Sequence, residues 1–392
     1  MVSSSFWKCC TINISVVAVS LLIISCSDTK KTAQQEPTTV KYANENIEPK
    51  RATLQAELEI GQNESVPYVA FNRVLDVKTD ENGNLYVLDG GEDHIVKLSS
   101  QGEYLTTIGK KGKGPGEFEN ALFFDMAGDG GIYVYDLALR RISIFNNQYE
   151  YLSSFSVEEP VGDLVVDIDG NIFLLLREPY EKKGTSAYLW KYLKEKHYAK
   201  SNGKLLLTHK ITYEIGPPPG DIVVSTMDKG PAGELLLCFF NDYCVRKFTQ
   251  DTKLINAFAR KLNKLKLPDF WRQDLEKKKA NAPEELRDRY KIPEKYPNVV
   301  EKLLVDPTAE KVYVITAEWI KDLKFSQNLF MPEYVYIDQY DMDGNLKERF
   351  KVKSQENRMY NFRDVKDGKF ICIVVDLEND FLSTIVRCVL NY

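Results

Sequence analysis

Leu75–Asp89 reads L-D-V-K-T-D-E-N-G-N-L-Y-V-L-D, and His94–Gly109 follows with H-I-V-K-L-S-S-Q-G-E-Y-L-T-T-I-G. The pattern returns as F-D-M-A-G-D-G-G-I-Y-V-Y-D at Phe124–Asp136 and R-I-S-I-F-N-N-Q-Y-E-Y-L-S-S-F at Arg141–Phe155. Each copy is four short runs of alternating or β-branched residues separated by turns. Such a unit makes a small antiparallel sheet that cannot bury both of its faces alone, so it must stack on further copies around an axis. The chain therefore reads as all-β, a β-propeller.

Working outward, the marker of each unit is an Asp-Gly or Asn-Gly turn, or a variant of it, before an aromatic or β-branched run. It recurs at Asn82-Gly83, Asp129-Gly130 and Asp169-Gly170, and more weakly at Ala232-Gly233, Glu310-Lys311 and Asp367-Gly368. That predicts six blades. The shortest step between markers is 40 residues and the longest nearly double, so some blades must carry insertions. The strand pattern breaks over Pro179–Lys210, Asn263–Asn298 and Glu318–Pro332. The middle stretch has helix-forming composition, with Pro283 at a first-turn position and acidic residues after it, and predicts one or two short helices. Thr53–Ile60 (T-L-Q-A-E-L-E-I) alternates like a strand ahead of the first unit, while the last unit ends at Tyr392 one strand short. Pairing the two would close the ring and remove an exposed edge.

The first residues belong to export rather than to the fold. Lys8 and the apolar run Ile12–Ile24 make the charged and apolar regions of a signal peptide, ending in I-I-S-C at Ile23–Cys26. A small residue directly before cysteine resembles the bacterial lipobox, which predicts cleavage after residue 25 and lipidation of Cys26. Residues 26–51 are polar and aperiodic, as a flexible tether would be, and residues 52–392 are assigned to the propeller. The expected location is the bacterial cell envelope, with the outer membrane engaged through the lipid alone. Acidic and basic residues are interspersed around a net charge of −5, which argues against a nucleic-acid partner.

The segment K-G-K-G-P-G-E-F (Lys111–Phe118) lies between a strand end and the next blade and, with the D-G-N-x-Y-V-x-D unit, resembles the linker and blade of NHL-repeat propellers. The whole layout, with Y-P-x-x-x-x-x-L-x-V-D at Tyr296–Asp306, is similar to the six-bladed propeller lipoproteins of Bacteroidetes. The resemblance implies fold and compartment. Gly114–Gly116 needs no ligand, because glycine and proline suffice to turn the chain between blades.

Candidate chemistry falls into three sets. Arg73, Asp76, Asp125, Asp163, Asp306 and Asp364 lie on or beside predicted innermost strands, where side chains converging on an axis could hold a divalent cation such as calcium. The bland alternative is a wet channel lined by turn-capping aspartates. Trp190, Phe270, Trp271 and Trp319 fall in the insertions, where face loops could bind a partner. Cys238 with Cys244, and Cys372 with Cys388, flank hairpin turns and are candidate disulfides in an exported protein, or else buried thiols. His94, His197 and His209 are too scattered for one zinc site, and no G-x-S-x-G elbow is present. These features predict a monomeric binding or scaffold module for an envelope protein, peptide or glycan. The alternative is a metal-dependent hydrolase or lactonase with an axial carboxylate site.

Overall fold

The computed structural model describes residues 40–44, 46–61, 71–158, 161–177, 186–192, 209–214, 225–239, 242–250, 253–261, 265–266, 269–281, 284–287, 295–296, 299–317, 323–326, 329–332, 334–355, 358–376 and 383–392. Its strands form six antiparallel blades. Blade 1 runs from Val74–Thr79 through Leu85–Asp89 and His94–Leu98 to Tyr104–Ile108, and blade 2 from Ala121–Met126 through Ile132–Asp136 and Arg141–Phe145 to Tyr151–Ser156. Blade 3 comprises Val161–Val166, Ile172–Arg177, Ser186–Tyr192 and His209–Glu214; blade 4 comprises Ser225–Lys229, Leu235–Phe239, Asp242–Phe248 and Leu254–Ala259. Blade 5 is Val299–Asp306, Lys311–Ala317, Tyr334–Asp341 and Leu346–Lys353, and blade 6 is Arg358–Lys366, Lys369–Asp376 and Ser383–Asn391 with Lys50–Ile60 outermost. Each innermost strand packs against the next, and Arg358–Lys366 against Val74–Thr79 completes the circle. The chain is a six-bladed β-propeller.

The turn chemistry explains why the markers recur. In D-E-N-G-N, Asp80 Oδ1 accepts the Asn82 and Asn84 N–H groups at 2.9 Å each, and Gly83 supplies a φ of 79°. D-I-D-G-N repeats the device with Asp167 and Gly170, whose φ is 81°. The core explains why second strands such as Leu85–Asp89 and Ile132–Asp136 are buried at every position. Among the described residues, six of the seven hydrophobic clusters are each shared by two adjacent blades, so a second strand is covered on both faces. Phe124 with Leu88 marks the seam of blades 1 and 2, and Phe370 with Tyr313 that of blades 5 and 6.

Closure runs as the alternating pattern predicts. Lys50–Ile60 pairs antiparallel with Ser383–Asn391, from Thr53 opposite Asn391 to Ile60 opposite Ile385. The expected tether, however, does not reach to Arg51. Lys41 and Tyr42 pair in parallel with Phe258 and Ala259 on the rim of blade 4, and Lys50–Ala52 pair in parallel with Phe350–Val352 on the rim of blade 5. Between them the Arg349 guanidinium donates to the Ile47 carbonyl at 3.0 Å. Residues 40–51 are thus a strap laced across two blade edges before closing the third, because those edges present unpaired backbone groups that any adjacent chain can satisfy.

Two further expectations change. The stretch expected as a first insertion contains the third strand of blade 3 and the start of its fourth, so Trp190 lies on a blade strand, between Leu174 and Lys210 in register. Long connections on either side of Ser186–Tyr192 separated it from its turn marker. The helices expected in the middle stretch are present at Asp269–Asn281 and Glu284–Arg287, and Leu323–Ser326 with Leu329–Pro332 form a separate hairpin in the connection between the second and third strands of blade 5.

Candidate functional site

The innermost strands bring carboxylates to the axis, and the hydrogen bonds say what they do there. Asp125 Oδ2 on blade 2 accepts the Val166 N–H of blade 3 at 2.7 Å; Asp163 Oδ2 on blade 3 accepts the Met227 N–H of blade 4 at 2.8 Å. Asp228 Oδ2 on blade 4 accepts the Val305 N–H of blade 5, and Asp364 Oδ2 on blade 6 accepts the Thr79 N–H of blade 1, both at 2.7 Å. The second oxygen of Asp163, Asp228 and Asp364 accepts the N–H of its own following residue at 2.8–2.9 Å. Asp76 accepts the Val77 N–H in the same way at 3.0 Å. Each cross-blade aspartate is therefore a clasp between neighbouring strands, and such charged acceptors make strong hydrogen bonds.

Lysines balance these charges. Lys229 Nζ lies 3.0 and 3.1 Å from the Asp125 oxygens and donates to the Val166 carbonyl at 2.8 Å, spanning blades 2, 3 and 4. Burial works against the Lys78 ammonium, but the charges of Asp76, Asp125, Asp228 and Asp364 outweigh it and hold its pKa above the ordinary lysine value. Lys302 of blade 5 opposes the burial that raises Asp163 and Asp228. The axis carries its own cations. Among the described residues, no group of three or more His, Cys, Asp or Glu is placed to hold a metal ion.

Asp364 is a buried carboxylate that titrates well above the usual carboxylate range. Burial pushes its pKa up to about 6; Lys78 opposes the rise and the Asp228 charge adds to it. A folded-state pKa above the unfolded value means that the contribution to stability is complete below the unfolded pKa and is lost as pH rises through about 6. Asp341 behaves oppositely: against its burial, Lys347 and Asn345 hold it down at about 2, so its contribution is lost only at much lower pH. The melting temperature is expected to fall between pH 5 and pH 7.5, and Asp364→Asn to flatten that slope. The slope is the readout, because asparagine offers one acceptor for two N–H groups and lowers stability at every pH. An unaltered slope in the variant would show that Asp364 does not titrate in this window.

Two of the expected axial residues are elsewhere. Arg73 is exposed ahead of the blade 1 inner strand and donates to the Gly90 carbonyl at 3.1 Å, because the chain has not yet entered the strand there. Asp306 is fully buried at the far end of its strand and caps a turn, taking the Thr308 and Ala309 N–H groups on one oxygen and the Gly368 N–H of blade 6 on the other at 2.7 Å. Sequence reasoning missed Asp228, Lys78, Lys229 and Lys302. Asp228 was legible as the inner-strand aspartate ahead of Ala232-Gly233.

The opposite end of the ring is built differently. In an antiparallel blade the first strand begins, and the fourth ends, at one face. The helical stretch between blades 4 and 5 and the hairpin between the second and third strands of blade 5 both leave from that face, whereas the connection 193–208 leaves from the other. On the insertion face, a small cleft of about 80 Å³ opens between blades 5 and 6, lined by Leu54, Val352, Phe362 and Tyr360 with Arg358 and Lys353. Arg358 is held there by Glu59 at 3.2 Å. Phe270 and Trp271 lie in the first turn of the Asp269–Asn281 helix. Trp319 and Cys26 lie outside the described residues.

The cysteines separate into two cases. Cys238 packs with Leu236 and Tyr340 between blades 4 and 5, while Cys244 packs with Ala257, Ala259 and Val40 beneath the strap, so the expected pair does not face across the hairpin. Cys372 and Cys388 share one cluster, with their sulfurs 3.9 Å apart.

Residues 64–208 match the family described as a 6-bladed β-propeller. Among solved structures, a protein from Bacteroides fragilis named as an exported protein overlays with a TM-score of 0.55 at 14% identity, covering 90% of this chain and 99% of that one. A member of the DUF4221 family from Bacteroides vulgatus overlays with a TM-score of 0.53, also at 14% identity, covering 88% of this chain and 99% of that one. At such identity the likeness is one of fold. A search of curated proteins returns no match.

Proposed function

We propose that this chain is a lipid-anchored binding module of the bacterial cell envelope that engages a protein, peptide or glycan through its insertion face. The observation that carries the reading is the use made of the axial carboxylates. Asp163, Asp228 and Asp364 spend both oxygens on backbone N–H groups, and Asp125 is held by Lys229 and Val166. Residues committed to holding strands together are poorly disposed to bind a metal or turn over a substrate. The insertion face offers the complementary features, a helix, a hairpin and an apolar cleft on a rigid ring. Export is supported by the I-I-S-C signal and by the exported relative from Bacteroides fragilis. The anchor at Cys26, the NHL-type ancestry of the blades and the outer-membrane location are parts of the same proposal.

The test is photo-crosslinking in intact envelopes, with membrane association of Cys26→Ala as its companion measurement. Replacing Asn263–Asn298 with a Gly-Ser linker is expected to leave the thermal transition nearly unchanged and to abolish specific adducts, while Asp364→Asn retains them. Cys26→Ala is expected in the soluble fraction. Adducts that survive loss of the insertion, or saturable calcium binding lost in Asp364→Asn, would sink the face-binding reading in favour of axial chemistry.

A further inference from the structure

Blade 6 closes the ring, and its second and third strands carry two thiols in contact. Cys372 lies opposite Val386 and Cys388 opposite Phe370, so the two cysteines are diagonal neighbours across one ladder. Both are fully buried in the cluster shared with blade 5, and their sulfurs stand 3.9 Å apart. A disulfide requires about 2.05 Å between sulfurs and a Cα separation below about 7 Å, whereas diagonal neighbours across a ladder stand about 7–8 Å apart. The strands must therefore shift slightly as the side chains rotate, which the open hairpin allows more readily than the packed blade. Cys388 also lies opposite Ala56 of the closing strand. A bridge here would fasten the strand on which closure depends to the rest of its blade.

We propose that Cys372 and Cys388 form a disulfide in the exported protein, and that it is made before the ring closes. Timing follows from burial. In the closed blade, burial and the neighbouring Cys388 sulfur push the Cys372 thiol well above its ordinary pKa, and neither sulfur is open to solvent. Exchange needs a thiolate that can reach its partner, so the open hairpin is the reactive form. The oxidant is a disulfide-bearing thiol oxidant of the envelope. One cysteine thiolate attacks its disulfide to give a mixed disulfide and release one oxidant thiolate. The second cysteine thiolate then attacks the mixed disulfide, releasing the other. The protein loses two protons and two electrons, and the oxidant's disulfide becomes a dithiol. The inference rests on the export reading but not on the anchor.

The experiment isolates the full chain from envelopes, alkylates it in denaturant without reductant, and maps each cysteine by peptide mass. Cys238 and Cys244 are expected alkylated; Cys372 and Cys388 are expected protected, becoming reactive after reduction, with their peptides joined before it. A protein found in the cytosol would sink the export reading. Alkylation of all four cysteines in envelope protein, or a bridge that includes Cys238 or Cys244, would overturn the pairing. In a second measurement, protein purified reduced is exposed to oxidised glutathione either folded or during refolding. Oxidation is expected to be at least tenfold faster during refolding, and equal rates would overturn the order of events.

Discussion

Asp338→Ala is expected to lower the unfolding free energy by about 3–5 kcal/mol, the usual cost of stripping one partner from a buried ion pair. Asp338 is fully buried on the third strand of blade 5 and gathers three donors. Its Oδ2 accepts from the Tyr243 hydroxyl at 2.7 Å and from Arg260 at 2.9 Å, and its Oδ1 from Arg349 Nε at 2.9 Å. Tyr340 approaches the same Tyr243 hydroxyl at 3.0 Å. Burial first, and the Asp338 charge second, drive the Tyr243 pKa well above that of a free phenol, so it stays a donor at any working pH. Alanine would leave two guanidiniums of blades 4 and 5 facing each other with no counter-charge. Arg349 also holds the strap through the Ile47 carbonyl, so the variant should expose residues 40–49 to protease as well. The check is a double-mutant cycle in denaturant. Asp338→Leu with Arg349→Met should cost clearly less than the two single changes added together, because an apolar pair leaves fewer charges stranded. Strict additivity would mean that the cluster does not act as one unit.

That cluster shows where reading from sequence stops. Blade number, the turn between first and second strands and the closing strand were all legible, because each rests on local chemistry: period-two alternation, or an aspartate two residues ahead of Asp-Gly or Asn-Gly. The same turn occurs a third time as D-M-D-G-N, where Asp341 accepts the Asp343 and Asn345 N–H groups. There it joins the third and fourth strands of blade 5, so the motif marks a turn without saying which. Asp338 and Arg349 lie on two strands of blade 5, and Arg260 just past the last strand of blade 4; they have no common spacing, so only the packed ring reveals them. The strap escaped for a different reason. Lys41 and Tyr42 join blade 4 through a two-residue parallel pairing, which leaves no periodicity to detect.

The candidate site divides along the same line. Asp76, Asp125, Asp163 and Asp364 were identifiable as inner-strand aspartates, but the role of the last three was not, since it depends on an N–H group contributed by the next blade. Loading the axis with carboxylates from separate strands is compatible with a metal centre or with a set of clasps. The lysines separate these readings, and Lys78 and Lys302 are unremarkable in sequence. Trp190 was misplaced because an alternating strand bordered by long connections looks like part of an insertion.

Truncation should produce the largest effect of all, and in three steps. Removing residues 27–39 is expected to leave the melting temperature unchanged. Extending the deletion through Pro49 removes the pairing with Phe258 and Ala259 and the carbonyl that satisfies Arg349, and should lower it by several degrees. Extending it through Ile60 should abolish cooperative unfolding. The reason lies in a single irregularity of the closing strand. Its pairing with Ser383–Asn391 shifts register between Ala56 and Leu58, leaving Glu57 as an extra residue. Without that bulge, Leu54 and Leu58 would point to the same side of the sheet. With it, Ala52 and Leu54 join the cluster between blades 5 and 6, while Leu58 and Ile60 join the cluster between blades 6 and 1. One strand thus seals two seams, and Glu57 is held at the bulge by Lys369 at 3.0 Å. Burial of the larger apolar side chains alone is worth roughly 1.5–3 kcal/mol each, and the whole ladder goes with them, a loss on the scale of a domain's entire stability of about 5–15 kcal/mol. Circular dichroism melts of the three truncations make the comparison. A sharp transition in the longest deletion, close to that of the intact chain, would mean that blade 6 stands without its outer strand and that closure is not what holds the ring.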